Sequence, residues 1–255
     1  MLKDLSCSIC AGTSMPHDVV DFNKSCEENN GKFLRPSGVS IYYYLCHHCG
    51  FCFAPEICDW PSEKFSKEIY NSQYIDIDPD YKENRPKNNA AHLSKIFNGK
   101  TEHIRHLDFG GGNGSLSDAL KGFSWDSQSY DPFMHKDINI TDLGRFNLIT
   151  AYEVFEHVPD ANALMEQLNS LISSDGVILF STLLSDGPIK PNTRLNWWYA
   201  APRNGHISLF SKKSLQTLAN KHNFEIGSLS SGTHILYRKV PDWAAHLFNQ
   251  GKKTN

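Results

Sequence analysis

The run Leu107-Asp108-Phe109-Gly110-Gly111-Gly112-Asn113-Gly114 decides how this chain is read. It follows an apolar, strand-like segment, Ile104 to Phe109, and leads into a helix-like one, Ser115 to Leu120. Read as Asp-x-Gly-x-Gly-x-Gly, it is a strand-to-helix turn. Missing Cβ atoms there allow a tight bend and the close approach of a bound molecule. A dinucleotide-binding turn would read Gly-x-Gly-x-x-Gly, and its third glycine would fall on Ser115. The turn opens an α/β half-fold but departs from the dinucleotide pattern.

Outward from the turn, strand and helix signals alternate from about residue 101, as in a doubly wound α/β sheet. The pattern predicts strands near 104–109, 127–131, 146–151, 177–182, 224–230 and 233–239. It predicts helices near 114–122, 160–173 and 211–221, the last entered through Ser211 as N-cap. The stretch between Tyr130 and Phe146 is too short for a full helix-strand-helix excursion, so the sheet is expected to be trimmed there. Ser230-Ser231-Gly232 is a turn signal that makes the final two strands an antiparallel hairpin. Upstream, residues 61–100 are polar and helix-like, broken by Pro61, Pro79 and Pro86, and read as a helical linker or lid. Residues 1–60 hold all seven cysteines and the strand-like Ile41-Tyr42-Tyr43-Tyr44-Leu45. The expected organisation is therefore a small N-terminal module at 1–60, a linker at 61–100, the α/β domain at 101–240 and a tail at 241–255.

A chain of 255 residues with 40% hydrophobic and 12% aromatic content suits one medium domain with a small appendage. The formal charge of −3 gives no global basic field for a nucleic-acid partner. Lys252-Lys253 reads as a solvated tail. No apolar run approaches a membrane span, and Lys3, Asp4 and Cys7 stand where a signal peptide needs apolar residues. A cytoplasmic chain without a membrane partner is the expectation.

The glycine run with Asp108 ahead of it resembles motif I of the class I S-adenosylmethionine (SAM)-dependent methyltransferases. The terminal antiparallel hairpin is what distinguishes that family from the dehydrogenases. The resemblance covers about residues 101–239 and implies SAM as cofactor. It implies that Gly110, Gly112 and Gly114 hold the methionine end, with amides at the helix start near its carboxylate. Asp108 would face the amino group. Asp131, 19 residues after Gly112, would accept hydrogen bonds from the ribose hydroxyls through both carboxylate oxygens. Phe133 and Met134 would border the adenine. Asp142 matches the region that meets the adenine amino group, and reads equally as a surface-turn acid. The segment Glu153-Val154-Phe155-Glu156-His157-Val158 resembles the family's Glu-Val-x-Glu-His-Val, with Asn147 in place of the usual leading Asp. It implies that Ala151 to Glu153 lie beside the cofactor, with His157 holding the loop or serving as a second base candidate.

Seven cysteines with two Cys-x-x-Cys pairs favour metal over disulfides in a cytosolic chain. Cys7, Cys10, Cys46 and Cys49 read as two knuckles offering four thiolates to one structural zinc with no open position. The 35 residues between Cys10 and Cys46 are tolerable, because closure entropy grows slowly with length. Two alternatives stay open. His47 or His48 could replace a thiolate, and Cys52 could replace Cys46, although Gly50 favours Cys46. Cys26 and Cys58 lack a pairing pattern. A zinc module ahead of this core is similar to two groups: sugar methyltransferases of deoxysugar, capsule and lipopolysaccharide pathways, and ribosomal RNA guanine methyltransferases with a zinc ribbon. The stretch Phe65 to Tyr81 looks like the linker of the first group. There Tyr70, Tyr74 and Tyr81 either lie over cofactor or acceptor, or pack as core.

The loop Asn196 to Ser211 resembles the Trp-Tyr-…-Pro-…-Gly-His-…-Phe-Ser stretch of a broad methyltransferase group. Trp198 and Tyr199 offer ring faces for a sugar, and Arg203 could pair with a phosphate or carboxylate. His206 is the first candidate for the base that takes the acceptor's proton, and His157 the second. The expected function is methyl transfer from SAM to a small polar acceptor, a sugar or nucleotide-sugar, at oxygen or carbon. An RNA methyltransferase gripping RNA through the zinc module is one alternative, and a non-catalytic scaffold another. Near-neutral charge weighs against the first, and the intact Asp108–Gly114 turn with Asp131 against the second.

Overall fold

The computed structural model describes residues 2–248, so the expected Lys252-Lys253 tail lies outside the described residues. The strands are β1 (Leu5–Ser6), β2 (Thr13–Asp21), β3 (Ser40–Cys46), β4 (Cys52–Phe53), β5 (Arg105–Phe109), β6 (Asp126–Tyr130), β7 (Phe146–Ala151), β8 (Ile172–Ser181), β9 (Ser208–Leu209), β10 (Glu225–Ser228) and β11 (Thr233–Tyr237). The helices are α1 (Pro55–Cys58), α2 (Ser62–Glu68), α3 (Tyr74–Ile77), α4 (Asn84–Ile96), α5 (Ser115–Lys121), α6 (Ala161–Leu171) and α7 (Lys212–Lys221). No helix among the described residues is long and apolar enough to cross a membrane.

The chain divides into two compact units. One comprises Met1–Pro79, Phe155–Leu164 and Leu183–Leu218; the other comprises Asp80–Val154, Met165–Thr182 and Ala219–Asn255. These are not the boundaries that composition suggests. Helix α4, expected in a linker, places Ala90 and Leu93, with Phe97 just beyond its end, in the core of the second unit. Their spacing of three and four residues is the stripe of an amphipathic helix. The segment read as a tail also starts with structure: Asp242–Leu247 forms a 3-10 turn that buries Ala244 and Leu247 in the same core.

The second unit is the α/β domain. Its sheet runs β10-β11-β8-β7-β5-β6, with β6, β5, β7 and β8 parallel. Strand β11 is antiparallel to both β8 and β10, the expected terminal hairpin. Between β6 and β7 there is only a 3-10 turn, Ile140–Leu143, so the sheet is trimmed where the short spacing predicts. The chain leaves β5 toward β6 on one side and takes up β7 on the other. That makes the carboxyl ends of β5 and β7 a topological switch point, where ligands bind in open α/β sheets.

The first unit is built on a second sheet, β1-β2-β3-β4-β9. Alternation in β3 buries Ile41 and Tyr43 and joins them to Ile57, Phe65, Ile69 and Leu209 in one apolar cluster. The 196–211 loop is part of this unit. Strand β9 pairs with β4 (Cys52↔Leu209), and Lys24 donates through Nζ to the carbonyls of Trp197 (2.6 Å) and Ala200 (2.8 Å). The module expected at 1–60 and the aromatic loop therefore fold together.

Candidate functional site

In the second unit, the glycine turn joins β5 to α5. It is pinned at its start by Gly110 N–H donating to the Tyr130 carbonyl (2.7 Å). Gly110, Gly112 and Gly114 all have φ between +54° and +80°, where a side chain is strained. Gly111 is required for a different reason. A Cβ there would sit inside the contact distance of Asp108 Oδ2 and 2.5 Å from Ser129 Oγ. In front of Gly112 a Cβ would meet nothing within 4 Å, so the turn faces open space.

Asp108 and Asp131 end up beside this turn. Asp108, at 3% exposure, accepts a hydrogen bond from Thr150 Oγ1 at 2.9 Å. Burial pushes its carboxyl up to about 7, against the Thr150 bond that lowers it and with the Asp131 charge adding to the rise. Asp131 follows β6 and accepts from the amides of Phe133 (2.8 Å) and Met134 (3.2 Å) through Oδ1. Its Oδ2 accepts from Gly112 N (3.1 Å), so its carboxylate ties the turn to β6. The bidentate ribose contact expected of Asp131 narrows to Oδ2, because both Oδ1 lone pairs are used on amides. Ser129 Oγ, buried against Gly111, has no hydrogen-bond partner among the described residues. Phe133 and Met134 are exposed apolar side chains next to Asp131.

Ala151 ends β7, buried, on the carboxyl edge. Glu153 takes φ +55°, with its amide donating to Ser181 Oγ and its Oε1 accepting from the same hydroxyl, both at 2.8 Å. Arg85, Asn89 and His92 of α4 line a small cavity of ≈ 120 Å³ with Tyr152, Glu153 and Ser181. Composition alone did not single these three out. Asp142 is not brought to this group. It lies exposed in the Ile140–Leu143 turn, and Arg105, the first residue of β5, donates to the carbonyls of Leu143 and Arg145. The amino end of β5 thus holds the end of that turn.

In the first unit, Cys7, Cys10, Cys46 and Cys49 have their sulfurs within 4.8 Å of one another. The register Ser14↔Cys46 brings the two knuckles together across β2 and β3 despite the long separation in sequence. Cys7 and Cys49 are 3.7 Å apart, Cys10 and Cys46 3.5 Å. Four thiolates on a tetrahedral zinc are about 3.8 Å apart, so the donor set fits that ion. Gly50 has φ +76°, and a Cβ would lie 2.9 Å from Ser211 Oγ, which explains glycine after the second knuckle. Cys52 is fully buried within β4, where burial raises its thiol, and His47 and His48 are exposed; none belongs to the cluster.

The candidate acceptor residues separate into two kinds. Trp197 and Trp198 are half-buried. Tyr199 is buried and donates through its hydroxyl to Glu156 Oε1 at 2.5 Å. Arg203, 6% exposed, donates to the Ile69 carbonyl at 3.1 Å. Expected as ligand-facing, Tyr199 and Arg203 instead hold the loop, since buried polar groups take main-chain or carboxylate partners. Tyr74 is likewise core, its hydroxyl donating to the Asn204 carbonyl at 3.3 Å. His157 and His206 lie with ring centroids 4.8 Å apart, and Glu156 joins them within 4.8 Å. Their Nδ1 atoms meet the carbonyls of Gly205 (3.1 Å) and Tyr199 (2.9 Å) respectively. A carbonyl only accepts, so both rings carry the proton on Nδ1, and Nε2 is the basic nitrogen of each. His206 is 4% exposed and His157 is half-buried, which makes His157 the more accessible of the two.

A family model described as a methyltransferase domain matches residues 81–229. Among curated relatives, a ubiquinone biosynthesis O-methyltransferase of Glaesserella parasuis is 39% identical over 44 residues, 17% of this chain and 19% of that protein. Its counterpart from Coxiella burnetii is 35% identical over 71 residues, 27% of this chain and 30% of that protein. The chain thus spans less than a third of the length of the curated relatives it matches. Among solved structures, an O-methyltransferase family protein from Burkholderia thailandensis aligns with TM-score 0.48 and 11% identity, over 70% of this chain and 63% of that one.

Proposed function

The chain belongs to the methyltransferase-domain family, and on that premise we propose that it moves the methyl group of SAM to a hydroxyl of a small polar acceptor, a sugar or nucleotide-sugar. The observation that carries the reading is the glycine turn at the switch point of the sheet, open in front of Gly112 and flanked by Asp108 and Asp131. When bound, SAM supplies a methyl group already activated by a sulfonium. The protein's share is alignment and the exclusion of water. Asp108 balances the cofactor's ammonium, Asp131 Oδ2 takes a ribose hydroxyl, and Phe133 and Met134 cover the adenine. The pair His157 and His206 takes the acceptor's proton on Nε2, with His157 as the outer member. Trp197 and Trp198 supply ring faces for a sugar. One zinc on Cys7, Cys10, Cys46 and Cys49 holds the first unit together and takes no part in the chemistry.

Labelled SAM tests this against a panel of nucleotide-sugars, phenols and total RNA. Label in a nucleotide-sugar is the expected result, and label confined to phenols or to RNA overturns the acceptor assignment. On the true acceptor, His157→Ala should lower kcat by about 100-fold or more, the usual weight of a general base. Its affinity for S-adenosylhomocysteine, the reaction product, should stay within about twofold of the parent. Equal activity of variant and parent removes His157 from the proton path.

Cofactor affinity should also depend on pH through Asp108. Its carboxyl is raised to about 7, so below that pH it is mostly protonated and must lose its proton to meet a cation. Binding therefore releases a proton under acid conditions, and affinity falls by about tenfold per pH unit below 7 while levelling off above it. Calorimetry with S-adenosylhomocysteine from pH 5.5 to 8.5 reads this directly. A flat profile contradicts the role of Asp108.

A further inference from the structure

Behind Asp108 runs a buried chain of side chains that the proposed reaction does not use. Thr150 Oγ1 donates to Asp108 Oδ1 at 2.9 Å. His106 Nε2 lies 2.9 Å from Thr150 Oγ1, and His106 Nδ1 lies 2.8 Å from Ser127 Oγ. Ser127 Oγ in turn lies 2.9 Å from Ser117 Oγ of α5. His106, Ser117 and Thr150 are each at most 1% exposed and Ser127 is 4%. Three strands and one helix converge on this line, with His106 opposite Ser127 in the β5–β6 register and Asp108 opposite Thr150 in the β5–β7 register.

A neutral imidazole has one donor and one acceptor, so such a chain must run in one direction at a time. With Asp108 ionised, Thr150 spends its only proton on the carboxylate and must accept from His106 Nε2–H. His106 Nδ1 then accepts from Ser127, and Ser127 from Ser117. With Asp108 protonated on Oδ1, the carboxyl donates to Thr150, Thr150 donates to Nε2, and Nδ1–H donates to Ser127. Thr150, His106 and Ser127 each keep both neighbours in either direction, and the states differ by the one proton that Asp108 gains or loses. Burial holds the imidazole at about 3, so it stays neutral throughout.

We propose that His106 is a positioning residue for the cofactor-facing acid, its ring orienting Asp108 through Thr150 and exchanging tautomer as Asp108 passes between acid and carboxylate. This rests on the reading of Asp108 as the partner of the cofactor's ammonium. The other ionisable groups facing Asp108 are Asp131, beyond β6, and Tyr152, beyond β7. Neither lies on the chain. The arrangement lets a buried carboxyl change charge while Thr150, His106 and Ser127 stay hydrogen-bonded.

The test is nitrogen NMR of the full-length chain labelled on its histidine rings, titrated with and without S-adenosylhomocysteine. The expected result is a neutral His106 ring that carries its proton on Nδ1 at pH 5.5 and on Nε2 at pH 8.5. Added product should drive it to the Nε2 form near pH 6.5. A tautomer that stays fixed across the titration overturns the proposal, as does an imidazolium signal. A second arm uses His106→Leu and His106→Gln. In His106→Leu, the pH midpoint of product binding should rise by about half a unit or more, because Thr150 loses the donor behind it, with affinity at pH 8.5 kept. In His106→Gln, which retains a donor toward Thr150, the midpoint should return toward that of the parent. An equal loss of affinity at every pH in His106→Leu marks a merely structural histidine and rejects the proposal. If the parent binds no product at any pH, the cofactor reading has failed, and the titration without product still decides the tautomer exchange.

Discussion

Gly111→Ala is expected to lower the affinity for SAM and for S-adenosylhomocysteine by about 100-fold. Gly111 is not in the left-handed region, so alanine can adopt its backbone. The obstacle is contact. The new methyl group overlaps Asp108 Oδ2 and Ser129 Oγ. Relief requires either that Asp108 leave Thr150 or that the turn lift from the Tyr130 carbonyl that accepts from Gly110. Each route displaces a group proposed to hold the cofactor, and overpacking of this kind costs about 1–3 kcal/mol. Phe123→Ala, at an exposed position of the same unit, should change affinity by less than about twofold. Calorimetric titration of both variants checks the pair, and a Gly111→Ala protein that binds like the parent would remove the turn from the cofactor site.

Cys49→Ser should abolish zinc retention and destabilise the first unit. The purified parent should carry about one zinc per chain, which four thiolates hold with a free energy of about 10–16 kcal/mol in small modules. That exceeds or matches the whole stability of a typical domain, about 5–15 kcal/mol. The first unit also has an apolar core around Ile41, Tyr43, Ile57, Phe65 and Leu209, so it has a second source of stability. The expected effect is therefore a fall in its melting temperature of roughly 10 °C or more on chelation, rather than an unfolded chain. Cys58→Ser, outside the cluster, should keep its zinc. Metal analysis after gel filtration reads both, and stoichiometric zinc in Cys49→Ser contradicts the four-thiolate assignment.

Most of the α/β sheet was legible because its signals are local. β7 is a short, mostly apolar run that follows Gly144, β5 ends at the glycine run and β6 before Asp131-Pro132, and the Asp108–Gly114 turn carries its own spacing. The unit boundaries were not legible, because they depend on long-range pairing. Strands β4 and β9 are two residues each, too short for any period, yet Cys52↔Leu209 draws the 196–211 loop into the N-terminal unit. Arg203 and Tyr199 misled for a related reason. An arginine and an aromatic in a loop look like ligand groups, whereas burial turned both toward the fold's own acceptors, the Ile69 carbonyl and Glu156. The polar chain behind Asp108 left a partial trace: His106 and Thr150 are polar positions inside the buried stretches of β5 and β7, whereas Ser127 lies in the polar run of β6 and does not stand out. Only the register shows that the three side chains meet.

The measurement that bears most directly on the central claim is calorimetric titration of S-adenosylhomocysteine into the full-length chain at pH 8, paired with Asp131→Ala. The account predicts one site per chain with micromolar affinity, weakened about tenfold or more in Asp131→Ala through the lost carboxylate hydrogen bonds. Absence of binding heat and of thermal protection by either SAM or its product, at millimolar concentration, would contradict it.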